Sequence, residues 1–173
     1  RQRWVMLYVL FCLVQLPLYY ALGKAPQGYD FAIKRVEAQL AKPVPDVPKV
    51  QADLESASRR LDEIPGDDSR LARLKLNQAI FAWFEGKLDD ADKFFRQSVE
   101  TFEATHGPDS WHTNAVNLRY AEFLMHCRRF PEALEHLEGG TRAIDDVQGP
   151  NTPFALRMNC RKVMLLNYLG RPK

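Results

Sequence analysis

The chain has 173 residues, of which 46% are hydrophobic and 27% are charged, a composition typical of a globular domain with a core rather than of a disordered segment. Its formal net charge is +2 and its acidic and basic residues are interspersed, so charge gives no indication of a nucleic-acid partner. Three widely spaced cysteines, Cys12, Cys127 and Cys160, indicate neither a disulfide framework nor a zinc pattern.

The N-terminal segment is predicted to be a single transmembrane helix. The run WVMLYVLFCLVQLPLYYAL begins at Trp4 and holds 19 residues without a charge, and about 20 apolar residues cross the hydrocarbon core of a bilayer as a helix. Trp4, Tyr19 and Tyr20 lie where interfacial aromatic residues are expected. Pro17 is expected to kink the helix and to favour packing against another membrane protein. Residues 1–24 are therefore assigned to a membrane anchor.

The alternative for this segment is a signal peptide, whose apolar core is usually about 7 to 15 residues long. The run over 4–22 is longer, so a retained anchor is favoured although Ala21 to Gly23 resembles a poor cleavage site. Residues 4–22 are thus expected to contact the lipid bilayer, in a single-pass protein of the bacterial inner membrane or the mitochondrial inner membrane. Arg1 and Arg3 precede the segment and Lys24 follows it, which leaves the orientation open.

A short helix, a proline-rich spacer and a second helix are predicted next. The stretch YDFAIKRVEAQL places Ile33, Val36 and Leu40 at helical spacing, and the following KPVPDVP either forms a stiff spacer or simply ends the helix. In KVQADLESASRRLDEIPGDD, apolar residues alternate at spacings of four and three, which predicts a helix closed by a Pro-Gly pair. We assign residues 25–48 to the short helix and linker, and residues 49–69 to a helix that caps the remainder of the chain.

That remainder repeats at a constant interval, which is the separation between Ala91 and Ala133. Ala91 lies in GKLDDADKFF and Ala133 in RRFPEALEHL, and the loop THGPDS aligns with VQGPNT at the same offset. The interval lies within the range of roughly 20 to 50 residues that is typical of solenoids, in which each unit buries its apolar face only against its neighbours. We call it the repeat interval. Each unit is predicted to be a helical hairpin with a tight turn, and the Gly-Pro loop joins one hairpin to the next.

This pattern resembles tetratricopeptide repeats (TPRs), particularly the longer kinesin-light-chain type with its Gly-Pro loop. The characteristic small, turn and bulky positions of the family correspond to Ala79, Ala91, Ala121, Ala133, Gly86, Phe95 and Leu137. The resemblance covers residues 70–173, as two repeats over about 70–110 and 111–152 and a half repeat over 153–173. It implies an all-α fold, here a single N-terminal transmembrane helix followed by a short TPR-type α-solenoid.

The resemblance also implies where a ligand binds, because in this family the first helix of each hairpin lines a concave groove. The candidate protein-binding residues are Arg73, Asn77, Phe84, Arg119, Glu122, His126, Arg157 and Arg161. Three of them, Asn77, Arg119 and Arg161, recur at the repeat interval. A guanidinium presents a planar fork of donors, which suits peptide carboxylates and backbone carbonyls. The alternative is that each of these residues is an ordinary solvated surface residue.

No catalytic, cofactor-binding or metal-binding group is predicted. The four histidines form no His-x-x-x-His pair with a nearby acid, and no Gly-rich loop follows a predicted strand. Neighbouring helical residues point about 100° apart, so His126 and Cys127 do not form a nucleophile pair. Asp89 and Asp90 are better explained by favourable electrostatics at a helix start than by catalysis. We expect no enzyme activity, no cofactor and no nucleic-acid partner.

The expected function is that of a membrane-anchored scaffold or adaptor, as an accessory subunit or assembly factor of a membrane protein complex. By analogy that complex is an energy-transducing one. The expected partners are other subunits of the complex or peptide segments. The alternative is a transient chaperone-like or transport receptor that binds peptide tails in the groove. Loss of the partner in salt would indicate the receptor, whereas stoichiometric retention in detergent would indicate the subunit.

Overall fold

The computed structural model of the chain describes residues 27–64, 66, 68–148 and 153–170. For residues 142–148, 153, 154 and 157 it describes the backbone only. The described residues form seven helices and no strand, so the predicted all-α class is confirmed for them. The helices are α1 (27–40), α2 (Val47–Asp62), α3 (Asp68–Phe84), α4 (Leu88–His106), α5 (Trp111–His126), α6 (Phe130–Gln148) and α7 (Pro153–Tyr168). They divide into two compact units, with the boundary between Asp67 and Asp68.

The predicted membrane localisation is contradicted by the composition of these helices. Across the described part of the chain, none is both long enough and apolar enough to cross a bilayer, because charged residues recur along each of them. This finding contradicts the expectation of a single-pass protein of the bacterial or mitochondrial inner membrane. The segment over 4–22, with Trp4, Pro17, Tyr19 and Tyr20, lies outside the described residues.

The first unit holds α1 and α2, each of which buries one apolar face. Ile33 and Val36 of α1 and Val50 of α2 are fully buried. An ion pair between Arg35 of α1 and Asp53 of α2 lies beside these apolar residues. Of the predicted capping helix over 49–69, residues 49–62 belong to α2, and α3 already begins at Asp68. The role of α2 as a cap of the repeats stays a prediction.

The second unit shows the expected repeat in its helices. The 19-residue helices α4 and α6 begin one repeat interval apart, at Leu88 and Phe130. The 16-residue helices α5 and α7 do the same, at Trp111 and Pro153. Helix α3 packs on α4 and α5 packs on α6, which gives two hairpins, and α7 packs on α6. We call α3, α5 and α7 the A helices, and α4 and α6 the B helices.

The hairpin turns repeat in their backbone conformation as well. Gly86 follows α3 with a φ of 77°, and Arg128, one repeat interval later, follows α5 with a φ of 60°. In both turns the amide of the next residue donates to a carbonyl five residues back, at 2.9 Å, which satisfies the end of the helix. Gly170, at the next repeat of this position, has a φ of 65°. Because a left-handed conformation strains any residue with a Cβ, Arg128 is the costly member of this series.

The Gly-Pro loop between the two hairpins ends one helix and starts the next. Gly107 closes α4 with a φ of 87°, and its amide donates to the carbonyl of Glu103 at 2.9 Å. Ser110 caps α5, because its Oγ accepts from the amide of Thr113 at 3.2 Å. The Thr113 hydroxyl in turn donates to the carbonyl of Gly107 at 2.8 Å. The loop is therefore held as a joint by its own hydrogen bonds.

The core of the second unit follows the same period. Phe81, Phe123 and Leu165 occupy one position of the three A helices and are all buried, as are Phe95 and Leu137 on the two B helices. The small residues that recur at the repeat interval, Ala79, Ala91, Ala121 and Ala133, are fully buried. Small side chains at these positions allow the paired helices to approach closely.

Candidate protein-binding face

The three A helices lie side by side and present a common face. Trp83 of α3 contacts two rings of α5, with centroid distances of 5.7 Å to Phe123 and 5.6 Å to His126. Between α5 and α7, Glu122 forms an ion pair with Arg161. We call the exposed surface that these helices share, which holds Phe84, Arg119, Glu122, His126 and Arg161, the A-helix face.

An aromatic position recurs on this face at the end of each A helix. Phe84, His126 and Tyr168 follow one another at the repeat interval, and all three are exposed, Phe84 by 49% and Tyr168 by 72%. One turn earlier on α7, Met164 is 70% exposed. Large apolar side chains that repeat on one surface indicate contact with a partner more than scattered ones do. The sequence analysis did not predict Tyr168 or Met164. Tyr168 could have been found, because it lies one repeat interval after His126, as His126 lies one repeat interval after Phe84.

The two recurrent arginines of the face share one carboxylate. Arg119 Nη1 lies 3.1 Å from Oε2 of Glu122, and Arg161 contacts the other oxygen, Oε1. Glu122 therefore neutralises part of the positive charge, and a peptide carboxylate has to compete with it. Each guanidinium carries five N–H donors, so backbone carbonyls of a ligand can still be bound without displacing Glu122.

The remaining predicted residues differ in their placement. Asn77 is buried, and its Nδ2 donates to the carbonyl of Arg73, one turn back in the same helix, at 2.9 Å. Asn77 and Arg119 occupy equivalent positions of the repeat, but Asn77 is buried whereas Arg119 is exposed. Arg73 is half-buried and already engaged in an interaction. The side chain of Arg157 is outside the described set.

A polar network around Asp92 fixes one hairpin against the next. Its carboxylate accepts hydrogen bonds from Tyr120 at 2.8 Å, from Arg129 at 2.6 Å and from Arg96 at 2.9 Å. Burial pushes the pKa of Asp92 up, but these three hydrogen bonds outweigh it and lower the pKa below its usual value. Burial and the bond to Asp92 raise the pKa of Tyr120 to about 12. The network therefore stays ionised at Asp92 and protonated at Tyr120 near neutral pH.

A cleft of about 260 Å³ lies on the side of the B helices, between α4, α5 and α6. It is lined by Arg96, Val99, Glu100, Glu103, Tyr120, Glu132 and His136. His136 Nδ1 lies 2.9 Å from Oδ1 of Asn117, and its ring lies 4.6 Å from that of Tyr120. Burial lowers the pKa of His136, which favours the neutral imidazole. These contacts are those of a packed structural histidine.

Two other histidines meet at the joint between the hairpins. The rings of His106 and His112 are 4.5 Å apart, and both lie against Phe102. His106 Nε2 is 3.4 Å from the hydroxyl of Ser69 in α3. Among the described side chains, no group of three or more His, Cys, Asp or Glu is placed to hold a metal ion. The contacts of both rings with Phe102 belong to the packing of α4 against α5.

No protein-family model and no curated protein matches the chain. Among solved structures, the crystal structure of BtubC (BKLC) from P. vanneervenii matches 88% of this chain with a TM-score of 0.66 and 13% sequence identity. The chain spans 66% of the length of that protein, which is just under two thirds. At this identity the likeness shows the fold alone, and that fold is a TPR-like array of helices.

Proposed function

We propose that the protein is a scaffold or adaptor without enzyme activity, which binds segments of other proteins on the A-helix face. The observation that carries the proposal is the row of exposed aromatic side chains, Phe84, His126 and Tyr168, at one position of three successive helices. The resemblance of the sequence to the kinesin-light-chain type of TPR supports the same surface, because the first helix of each hairpin binds ligands in that family. The partner is a subunit of a multiprotein complex that the protein holds or helps to assemble.

The chemistry of the face favours an extended peptide with apolar side chains. Phe84, Met164 and Tyr168 offer apolar area that is already exposed in the free protein. Arg119 and Arg161 offer donors for the carbonyls of the peptide backbone, while Glu122 reduces the need for an acidic ligand. Apolar and aromatic anchors with a few oriented donors are the usual composition of peptide-binding grooves.

Site-specific photo-cross-linking in the full chain tests this proposal. A cross-linking amino acid at His126 is expected to form a discrete adduct with a partner in extracts of the source cells, whereas the same group at exposed Lys93 of α4 is not. Adding Phe84→Ala and Tyr168→Ala is expected to reduce the His126 adduct about tenfold, since truncated interface anchors cost more than about 1 kcal/mol each. Equal adducts at His126 and Lys93 would refute binding at this face.

A second candidate function is a transient receptor for peptide C-terminal tails, and the Arg119–Glu122–Arg161 cluster favours it. A tail carboxylate would replace Glu122 between the two guanidiniums. The variant Glu122→Gln is then expected to bind tail peptides several-fold more tightly, with binding that weakens in salt and on amidation of the tail. If amidation has no effect in either protein, the tail-receptor function is excluded and the scaffold remains.

A further inference from the structure

The cleft between α4, α5 and α6 has a wall built from one side of α4. That wall consists of residues spaced by three or four along the helix, which are Arg96, Val99, Glu100 and Glu103. Helix α6 contributes Glu132 and His136, and α5 contributes the buried Tyr120. We call this the B-helix cleft. Its volume of about 260 Å³ is below the roughly 300–1,000 Å³ of sites for small-molecule ligands, so it suits a single long side chain.

Two charged residues of the B-helix cleft are already paired within the Asp92 network. Arg96 pairs with Asp92 at 2.9 Å, and Glu132 pairs with Arg129 at 2.5 Å. Arg129 also lies 2.6 Å from Asp92, which joins the two pairs. Because the network contains two guanidiniums and two carboxylates, its charges cancel. Arg96 and Glu132 therefore give the cleft no net charge.

Glu100 and Glu103, by contrast, are not compensated. Both are exposed, and no cationic side chain in the described part of the chain pairs with either of them. Glu103 lies in the last turn of α4, where the helix dipole adds a partial negative charge. Burial lowers the pKa of His136, so its imidazole supplies no positive charge near neutral pH. The B-helix cleft therefore carries two uncompensated negative charges on one wall.

This lining excludes several kinds of ligand. Two unpaired carboxylates repel an anion. A metal ion is not favoured either, since the described side chains bring no three acidic, His or Cys residues together, and a cation such as Ca²⁺ takes about six to eight oxygen ligands. A long cationic side chain fits, because its apolar stem can pack on Val99 while its charged head reaches the two carboxylates.

Arginine fits the B-helix cleft better than lysine does. Its guanidinium has five N–H donors in a planar fork, which can bond to two carboxylates at once, whereas an ammonium group is a compact and strongly hydrated charge. Glu100 and Glu103 are one turn apart on the same side of α4. The flat imidazole of His136 also offers a surface on which a guanidinium can stack.

We propose that the B-helix cleft binds an arginine side chain in a basic segment of a partner protein. The guanidinium donates to Glu100 and Glu103, and the stem of the side chain lies over Val99. This site goes beyond the proposed function, because none of its residues belongs to the A-helix face and it selects a charged side chain instead of apolar ones.

Nuclear magnetic resonance titration of the full chain tests this proposal, with the capped tripeptide glycyl-arginyl-glycine as the probe. Saturable shifts are expected at the backbone amides of Glu100, Glu103 and His136. The same tripeptide with citrulline, which keeps the shape of arginine without its charge, is expected to cause no saturable shift. The lysine tripeptide is expected to bind several-fold more weakly. Equal binding of the arginine and citrulline tripeptides, or of the arginine and lysine tripeptides, would overturn the proposal.

Paired substitutions on α4 supply a second readout. Glu100→Gln with Glu103→Gln is expected to weaken binding of the arginine tripeptide at least about tenfold, because both charge-assisted hydrogen bonds are lost. Asp89→Asn with Asp90→Asn makes the same change of charge at exposed positions of α4 outside the cleft, and is expected to leave binding unchanged. Since Glu100 and Glu103 are exposed and unpaired, thermal unfolding of their double variant is expected to match that of the parent chain. Equal weakening in the two double variants would mean general attraction to an acidic surface and would overturn the proposal.

Two further measurements distinguish a second copy and the proposed function. Sedimentation of the chain alone is expected to show a monomer. A dimer that Glu100→Gln with Glu103→Gln dissociates would assign the cleft to a basic side chain of a second copy instead. Phe84→Ala on the A-helix face is expected to leave the arginine titration unchanged. Failure of the arginine site therefore leaves the aromatic row as a peptide site, and the reverse also holds.

Discussion

Asp92 shows how a single side chain joins the two hairpins without belonging to the A-helix face that they present. It lies in α4, yet its donors come from Arg96 of the same helix, from Tyr120 of α5 and from Arg129 in the turn before α6. Tyr120 is buried and its ring stacks on Phe95 at 5.4 Å. Its hydrogen bonds to Tyr120 and Arg129 therefore join the hairpin that carries Phe84 to the hairpin that carries His126.

Removal of this carboxylate is expected to destabilise the protein. Asp92→Ala leaves the buried hydroxyl of Tyr120 without its acceptor and Arg96 without its ion pair, while Arg129 keeps its ion pair with Glu132. The free energy of unfolding is therefore expected to fall by about 1–3 kcal/mol. Urea denaturation followed by circular dichroism measures this change. Asp90→Ala, an exposed carboxylate two residues earlier, is the matched control and is expected to cost less than about 1 kcal/mol. Equal losses in the two variants would contradict a role for the network.

The turn at Arg128 is strained, because its left-handed backbone conformation disfavours a residue with a side chain. Relief of that strain is worth roughly 1–2 kcal/mol, of which the greater freedom of glycine in the unfolded chain cancels about 0.5–1 kcal/mol. We therefore expect Arg128→Gly to raise the free energy of unfolding by about 0.5–1 kcal/mol, as measured by urea denaturation. The converse change, Gly86→Ala, meets no neighbouring atom within 4 Å and is expected to lower it by about 1 kcal/mol through the backbone alone.

At the scale of elements, α6 contains two adjacent glycines in different surroundings. A Cβ on Gly139 would lie 4.0 Å from the nearest atom, on Asn114, whereas on Gly140 it would lie 2.6 Å from Leu118. Gly139→Ala is therefore expected to stabilise the protein by about 0.5–1 kcal/mol, since alanine favours the helix. Gly140→Ala is expected to destabilise it by about 1–3 kcal/mol by forcing α6 away from α5. Thermal melts that shift in the same direction would show that α6 does not approach α5 this closely.

Some features of these helices could be predicted from the sequence, and others could not. Recurrence at a constant interval predicted the repeating hairpins, because the small and bulky residues that recur, such as Ala121 and Phe123, are those that pack. Recurrence did not show that Asn77 is buried and Arg119 exposed. Two residues at equivalent positions of the repeat can differ, because one side chain can bond to its own helix while the other reaches solvent. Recurrence also missed that Arg119 and Arg161 meet at Glu122, because that contact spans 39 residues between Glu122 and Arg161 and has no local pattern. The membrane assignment rested on the charge-free run over 4–22 and on the aromatic and basic residues at its ends. The expected membrane localisation is contradicted by the described helices, none of which could cross a bilayer.

For the whole molecule, stability is expected to depend on pH through His136. Burial holds its pKa in the folded protein below the usual 6.5, so the unfolded chain binds a proton at a pH where the folded chain does not. The free energy of unfolding is therefore expected to fall as the pH drops through 6.5 toward the folded-state pKa, and to be level with respect to this group above it. The lowered pKa values of Asp92 and Glu132 add a separate loss in more acidic solution, near and below the usual carboxyl range.

Thermal melts across this pH range test the assignment. In His136→Gln the decrease that begins near pH 6.5 is expected to disappear, while the loss in more acidic solution remains because Asp92 and Glu132 are retained. The assignment fails if the parent chain and His136→Gln lose stability in the same way between neutral pH and the carboxyl range.

The stacking of each helix of the second unit mainly on its neighbours along the chain has a kinetic consequence. Contacts between residues close in sequence close only short loops, so the entropic barrier to forming them is small. We expect the second unit to fold on the microsecond-to-millisecond timescale typical of helical proteins with local contacts. During synthesis, the hairpin of α3 and α4 is complete once His106 has left the ribosome, and each later helix finds its packing partner already formed.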